Sequence, residues 1–343
     1  MMSKKILIWF GKAICAGVVS LIILSVFSLF YYNIGIRSTN EAGATDYVWE
    51  NHFYSTGYEG FAWGINDANG LNNSWKTEKT DEIDILLMGS SQMEARNVAQ
   101  NKNTAFLLNQ MCADAEIDLY TYNIGVEGHS IYAQVNNLEN AVREFRPSKY
   151  IILETREIML DENSMKQVLG GEWEHSPAYD EGIIYYLQKI PFLRLIHKQL
   201  DNLKNIKEED NLQEMNMVSE VEINIDYVEQ LSEFISYAAE IADRQGCGLI
   251  VVYLPSTNID EEGKFLLDEQ SDYYNIFENV CNQNNIAFVD MIDAYKEKYA
   301  MEWKLPYGFS NTEVGKGHLN ETGHKLIAQN LFETIVSLEK ERK

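Results

Sequence analysis

Cysteine is sparse in this 343-residue chain, with only four. One of them, Cys15, lies in an apolar N-terminal run, and the remaining three, Cys112, Cys247 and Cys281, are an odd number at irregular spacing. That pattern supplies neither a disulfide framework nor a zinc signature, and Cys112 and Cys247 read as small apolar residues beside helix and strand cores. Cations are also short: 28 Lys and Arg stand against 52 Asp and Glu, for a formal net charge of -24. Such a balance repels polyanions and argues against a nucleic-acid partner. Of the six histidines, His318 and His324 are six apart with no carboxylate cluster near them, a poor metal pair, while His52, His175 and His197 have no visible partners. No metal and no cofactor are expected. Internal repeats and low-complexity blocks are lacking as well.

What the chain does contain begins with a long apolar run. Ala13 to Tyr31, "AICAGVVSLIILSVFSLFY", is 19 residues without a charge, roughly 28 Å as a helix and about one bilayer core. Lys4, Lys5 and Lys12 precede it, and Arg37, Glu41 and Asp46 follow. The positive-inside bias therefore places the N-terminus in the cytoplasm and the rest outside, in a single-pass cell-membrane protein, with Tyr31 and Tyr32 in an interfacial belt. A cleaved signal peptide is the competing reading, but the run is long for one and no small-x-small cleavage site clearly follows. Cys15 is not a lipid-attachment site, because the apolar run follows it.

Three regions are expected: a cytoplasmic tip and membrane helix at 1–36, an extracytoplasmic stalk at 37–80, and a domain at 81–343. The stalk is rich in Gly, Asn and aromatics without a clear period. After Lys79, short apolar segments alternate with amphipathic ones. Strands are predicted at Ile83–Met88, Leu119–Ile124, Tyr150–Thr155, Leu249–Leu254 and Ile286–Asp290. Helices are predicted at about Thr104–Glu116, Ile131–Phe145, Asp226–Gln245, Glu269–Gln283 and Glu321–Leu338. This alternation implies an α/β domain, a three-layer α/β/α sandwich around five parallel, flavodoxin-like strands, with its site at the strands' carboxyl ends. A charged, helical insertion at 157–222, including "KEEDNLQE", interrupts it and is either a lid or partner surface or a solvated excursion.

Three segments fall at that edge. In "DILLMGSSQME" the first strand stops at Gly89-Ser90-Ser91, where a hydroxyl on a tight turn stands exposed; the bland alternative is a helix cap. In "YNIGVEGHS" the glycines let a backbone N–H approach an oxyanion. In "GKGHLNETGHKLIAQNL", His318 precedes the last helix, placed for a general base, and Asn320 is its N-cap. His129, Glu127, Glu154 and Arg156 lie close by and read as turn or salt-bridge residues, and Asp290 as one that holds a loop.

Serine, glycine turn and late histidine, in this order, resemble the SGNH (GDSL-like) hydrolase superfamily over about residues 83–340. The resemblance implies Ser91 as the nucleophile, the N–H groups of Ser91 and Gly128 as oxyanion donors, and His318 as the base. Two family features are absent. Gly315 stands where the family has the Asp that orients the histidine, leaving Glu313 as a substitute or a Ser–His dyad. The Gly-x-Asn-Asp block after strand three is replaced by "LETREIML", with Thr155 or Arg156 as the replacement donor. Residues 64–67 spell "GIND", but they precede Ser91 whereas the family's block follows it, so Asn66 is set aside. The expectation is a membrane-anchored serine esterase or O-acyltransferase. The layout is similar to membrane-tethered proteins that D-alanylate teichoic acids or acetylate exopolysaccharides. That likeness implies a cell-envelope polysaccharide or teichoic-acid-like polymer as acceptor and a membrane-bound O-acyltransferase as partner. The alternative is an impaired module of the same fold that binds polymer or a membrane partner.

Overall fold

The structure, a computed structural model, describes residues 2–33, 53–73, 82–173, 190–193, 195, 196, 199, 200, 225–260, 262, 264–267 and 272–342. Most of the 157–222 insertion, with its acidic stretch, and His52, His175 and His197 lie outside the described residues.

Apolar sequence at the N-terminus makes one long helix, Met2–Tyr31. Its segment Ile6–Tyr31 is long and apolar enough to cross a membrane, and its side chains are largely exposed. The helix runs directly into β1 (Tyr32–Asn33), which pairs antiparallel with β2 (Phe53–Thr56), itself paired antiparallel with β3 (Ala62–Ile65). The stretch 53–73, read from the sequence as part of a stalk that packs its aromatics on the domain without assigned secondary structure, is a hairpin and a following turn. One buried carboxylate helps to fasten it: Asp67 accepts from the Tyr122 hydroxyl at 2.6 Å, the Asn73 amide at 3.2 Å, and the N–H groups of Asn69 and Leu71 at 2.9 Å each. Burial raises the Asp67 pKa against these four donors.

The main sheet contains β4 (Ile85–Met88), β5 (Thr121–Asn123), β6 (Tyr150–Thr155), β7 (Gly248–Tyr253) and β10 (Ala287–Asp290), all parallel, in the order β10-β7-β6-β4-β5. A small antiparallel pair, β8 (Thr257–Ile259) with β9 (Phe265–Leu267), lies outside it. All five predicted strands form, each within two residues of its expected ends at most.

The two-residue strand period sends alternate side chains into two cores. Leu86, Met88, Ile151, Leu153, Leu249 and Val251 enter one, under helices Ile131–Phe145, Glu162–Gly170, Ile225–Gln245 and Asp272–Gln283. Ile85, Leu87, Ile152, Ile250 and Val252 enter the other, under Thr104–Asp114, Ile292–Glu302 and Glu321–Glu341. Cys112, Cys247 and Cys281 are free thiols buried in these layers.

The chain leaves β4 toward β5 on one side and crosses back to β6 on the other. The point of reversal lies between β4 and β6, where open α/β sheets leave a crevice at their carboxyl ends.

Candidate active site

Ser91 is the first residue of a one-turn helix, Ser91–Glu94, separated from the end of β4 by Gly89 and Ser90. Ser90 is its N-cap, accepting the Gln92 N–H at 3.2 Å, so the capping role and the exposed hydroxyl belong to different serines. At the first helical position the Ser91 N–H has no carbonyl one turn back to bond. Gly89 cannot be larger, since an added Cβ would lie 2.4 Å from the Met93 side chain.

His318 sits just ahead of helix Glu321–Glu341, whose N-cap is Asn320, accepting from the N–H groups of Thr322 and Gly323. Its Nε2 is 3.0 Å from Ser91 Oγ, although 227 residues separate the two in sequence. Its Nδ1 is 2.6 Å from Glu59 Oε2, and its own backbone N–H donates to Glu59 Oε1 at 2.9 Å. One carboxylate thus holds both the ring and the main chain of the same histidine. That arrangement fixes ring tilt and places the proton on Nδ1, leaving Nε2 free to accept from the serine.

Glu59 is a correction to the sequence expectation. Glu313 instead lies at the surface, pairing with Lys316 at 2.6 Å, with a side chain 68% exposed against 9% for Glu59. Gly315, at the place of the family's Asp, has φ +82, a left-handed conformation that disfavours any side chain. Gly317, at φ +86, would put a Cβ 2.6 Å from Glu59 Oε1, so the glycine makes room for the incoming carboxylate.

Glu59 is delivered by the β2–β3 connection, and three contacts seat that connection. Asn311 accepts the Gly60 N–H at 3.1 Å and donates to the Gly57 carbonyl at 3.2 Å. Thr56 donates to the Arg96 carbonyl at 2.8 Å. Gly60, at φ +82, lies so close that a Cβ would stand 2.0 Å from the Asn97 carbonyl oxygen.

Gln92, next to the serine, links the two halves of the site. Its Oε1 accepts the Leu319 N–H at 2.7 Å, and its Nε2 donates to the Gly317 carbonyl at 3.3 Å. Both neighbours of His318 are therefore held by the residue that follows Ser91. The second loop is tied in similarly: Glu94 Oε2 accepts the Glu127 N–H at 2.9 Å, and Asn123 donates to the Met93 carbonyl at 2.7 Å.

Ser91 opens on a cleft of about 230 Å3 that is also lined by Gly128, His129, Glu154, Thr155 and Arg156. Gly128, at φ +83, turns the second loop into this cleft beside Ser91. The Thr155 hydroxyl is engaged locally, donating to the Glu157 carbonyl at 2.6 Å, which removes it as a donor to the cleft. Arg156 reaches Ser256 at 3.3 Å and lies over the Tyr307 ring. Glu154, fully buried, accepts the Ser90 N–H at 2.6 Å, and desolvation raises its pKa above the ordinary carboxylate value. Glu154 thus holds the serine turn, in keeping with its reading as a turn residue.

Asn66 lies in the buried turn beyond β3, and the "GIND" string serves the Asp67 anchor. His324 is buried and bonded to the Thr104 hydroxyl at 2.9 Å. Among the described residues, no cluster of three or more His, Cys, Asp or Glu is placed to hold a metal ion.

No protein-family model matches the chain, and no curated protein matches it. Solved structures of similar fold are SGNH/GDSL-type hydrolases and esterases. A psychrotrophic esterase from a Pseudoalteromonas species is 11% identical, the alignment covering 76% of this chain and 100% of that one at TM-score 0.40. An acetyl xylan esterase is 15% identical, covering 74% and 100% at TM-score 0.40. A member of the lipolytic G-D-S-L family from Veillonella parvula is 14% identical, covering 74% and 98% at TM-score 0.37. Likeness at this level describes the fold, and the functional reading rests on the site's own geometry.

Proposed function

We propose that the protein is a serine acyl-transfer enzyme, an O-acyltransferase or esterase, with Ser91 as nucleophile, His318 as general base and Glu59 as the group that orients the base. The observation that carries this reading is the continuous relay from Ser91 Oγ through both ring nitrogens of His318 to Glu59, at 3.0 and 2.6 Å.

In the first half-reaction Ser91 Oγ attacks the carbonyl carbon of an ester or thioester while His318 Nε2 takes the hydroxyl proton. The N–H groups of Ser91 and Gly128 receive the negative charge that develops on the carbonyl oxygen. Collapse breaks the bond to the leaving group, which departs with the proton from Nε2, and leaves an acyl-serine. Water or a sugar hydroxyl then gives its proton to His318 Nε2 and attacks the acyl carbon; the bond to Ser91 Oγ breaks, Nε2 returns the proton to Oγ, and the acid or new ester leaves. Glu59 stays ionised and stabilises the imidazolium formed in each half.

The apolar helix with its preceding lysines supports a membrane anchor with the domain on the outer side. An anchored acyl-transfer site in that place suits an envelope glycopolymer as acceptor and a membrane-bound O-acyltransferase as source of the acyl group. The non-catalytic alternative drew its force from the missing Asp and the missing Asn of the Gly-x-Asn-Asp block, and the place of Glu59 beside His318 answers the first of these.

Active-site labelling tests the enzyme. A fluorophosphonate should modify the wild-type chain and fail to modify Ser91→Ala. Absence of labelling in the folded wild type would refute the serine mechanism.

A further inference from the structure

We propose that the outward face of the β2–β3 hairpin is a lipid-docking surface, which holds the Glu59-bearing turn at the surface of the bilayer. This rests on the reading that helix Met2–Tyr31 spans a membrane.

β3 alternates strictly. Ala62 and Gly64 face inward, whereas Trp63 and Ile65 point out, 65% and 46% exposed, and Phe61 just before the strand is 66% exposed. From Phe53 to Ile65 the only charged residue is Glu59, which is buried in the site. Ser55, across from Trp63 on this face, is buried and bonded to the helix end, so the exposed part of the face is apolar and mainly aromatic, the composition favoured where acyl chains meet headgroups.

The face is also continuous with the helix. The Ser55 hydroxyl donates to the Leu29 carbonyl at 2.6 Å, the Asn33 amide donates to the Phe53 carbonyl at 2.7 Å, and an added Cβ on Gly57 would lie 2.9 Å from the Phe30 carbonyl oxygen. A groove of about 300 Å3 lined by Phe30, Phe53, Phe61 and Trp63 joins the exposed side of the helix end to the hairpin. Because the helix end is bonded to the hairpin, the depth of the helix in a bilayer sets the height of the hairpin. The aromatic face then meets the interface, where apolar faces sink by about 5–10 Å.

The backbone favours lipid over a protein strand. Gln100 accepts the Ile65 N–H at 3.1 Å and donates to the Ile65 carbonyl at 2.9 Å, closing the edge of β3 at that residue. Edge pairing with a partner strand would need those groups. Lipid needs only side chains.

The substrate that follows is one presented at the membrane surface, since the same hairpin supplies both the docking face and the carboxylate. The test uses the full chain in phosphatidylcholine nanodiscs containing brominated lipids, with Trp63→Phe as reference so that the difference spectrum isolates one of the six tryptophans. The Trp63 emission should be quenched by bromines near the headgroups and much less by bromines near the bilayer centre. Ile65→Trp in the Trp63→Phe background should repeat the pattern. Emission unquenched by any lipid, while the chain stays in the discs, overturns the docking face and leaves the membrane helix standing. Emission unquenched by lipid yet shielded from aqueous iodide also overturns it, in favour of a protein contact. Loss of the chain from the discs removes the helix reading itself.

Discussion

The main sheet and the β2–β3 hairpin approach the same histidine from different sides and by different physics. The sheet positions Ser91 by its topology: β4 ends at the reversal point, and buried side chains on both faces hold it there. The hairpin has only four residues in each strand and depends on polar clasps, from Asn311, Thr56 and Asp67, to bring Glu59 to the site. A densely packed sheet tolerates no alternative placement of the nucleophile, whereas a clasped hairpin can yield locally without unfolding the domain. Ser91 is therefore carried by the packed sheet, whereas Glu59, which bonds to His318, is carried by a short hairpin held by polar bonds.

The sharpest division should appear in turnover. Ser91→Ala and His318→Ala are each expected to lower kcat by ~10^4-fold or more, measured on a chromogenic acyl ester, with unfolding curves close to wild type. Glu59→Gln, which keeps shape but removes the charge that settles the ring, should cost roughly 10^2- to 10^4-fold. Glu59→Gln combined with His318→Ala should be no slower than His318→Ala alone. Additive losses would separate the hairpin's carboxylate from the relay. Glu313→Gln should leave kcat unchanged, because that side chain ends on Lys316.

Gly60→Ala probes the hairpin's seat. The new methyl meets the Asn97 carbonyl and the residue must keep a positive φ, so a stability loss of about 2–4 kcal/mol is expected in thermal or urea unfolding. Activity should fall with it as the turn shifts. Retained stability with full activity would mean that the turn is not held as described.

Gln92→Ala tests the strap between nucleophile and base. It leaves the buried Leu319 N–H without its acceptor, a cost of ~1–3 kcal/mol. A fall in kcat with little change in KM, restored in part by Gln92→Glu through the same acceptor oxygen, would mark a positioning role rather than a purely structural one.

Much of this architecture is legible in the residues alone. The β-branched runs and their alternation with amphipathic helices predict all five sheet strands, because fully buried parallel strands leave an apolar signature that needs no tertiary information. Ser91 and His318 are legible because each sits where a regular element begins or ends. Glu59 is not. Its neighbours "STGYEGFAWG" carry no strong period, the hairpin has only a few residues per strand, and the bonds that order it come from Asn311 and Arg96, far away in sequence. One local sign exists: a pair of glycines on the approach to the histidine, Gly315 and Gly317, where a side chain is expected. Space left beside a base is a hint that something else fills it.

A pH-dependent effect belongs to the last helix, Glu321–Glu341, which packs on the sheet. Burial, with a lesser contribution from the His318 charge, lowers the His324 pKa from 6.5 to about 3. The folded state keeps this ring neutral, so its contribution is whole above pH about 6.5. As pH falls from about 6.5 toward about 3, the unfolded chain takes up the proton first and stability declines by up to ~1.4 kcal/mol per pH unit. His324→Gln should flatten that slope in urea unfolding followed across this range; an unchanged slope would assign acid sensitivity to other groups.

A chain cut at the apparent start of the domain, near residue 82, would keep the sheet, the alcohol and the imidazole yet discard Glu59, encoded upstream of everything that looks catalytic. Such a fragment would lack the carboxylate that holds both the ring and the main chain of His318, and on the proposed mechanism it would turn over slowly for want of a segment that compositional criteria assign to a stalk.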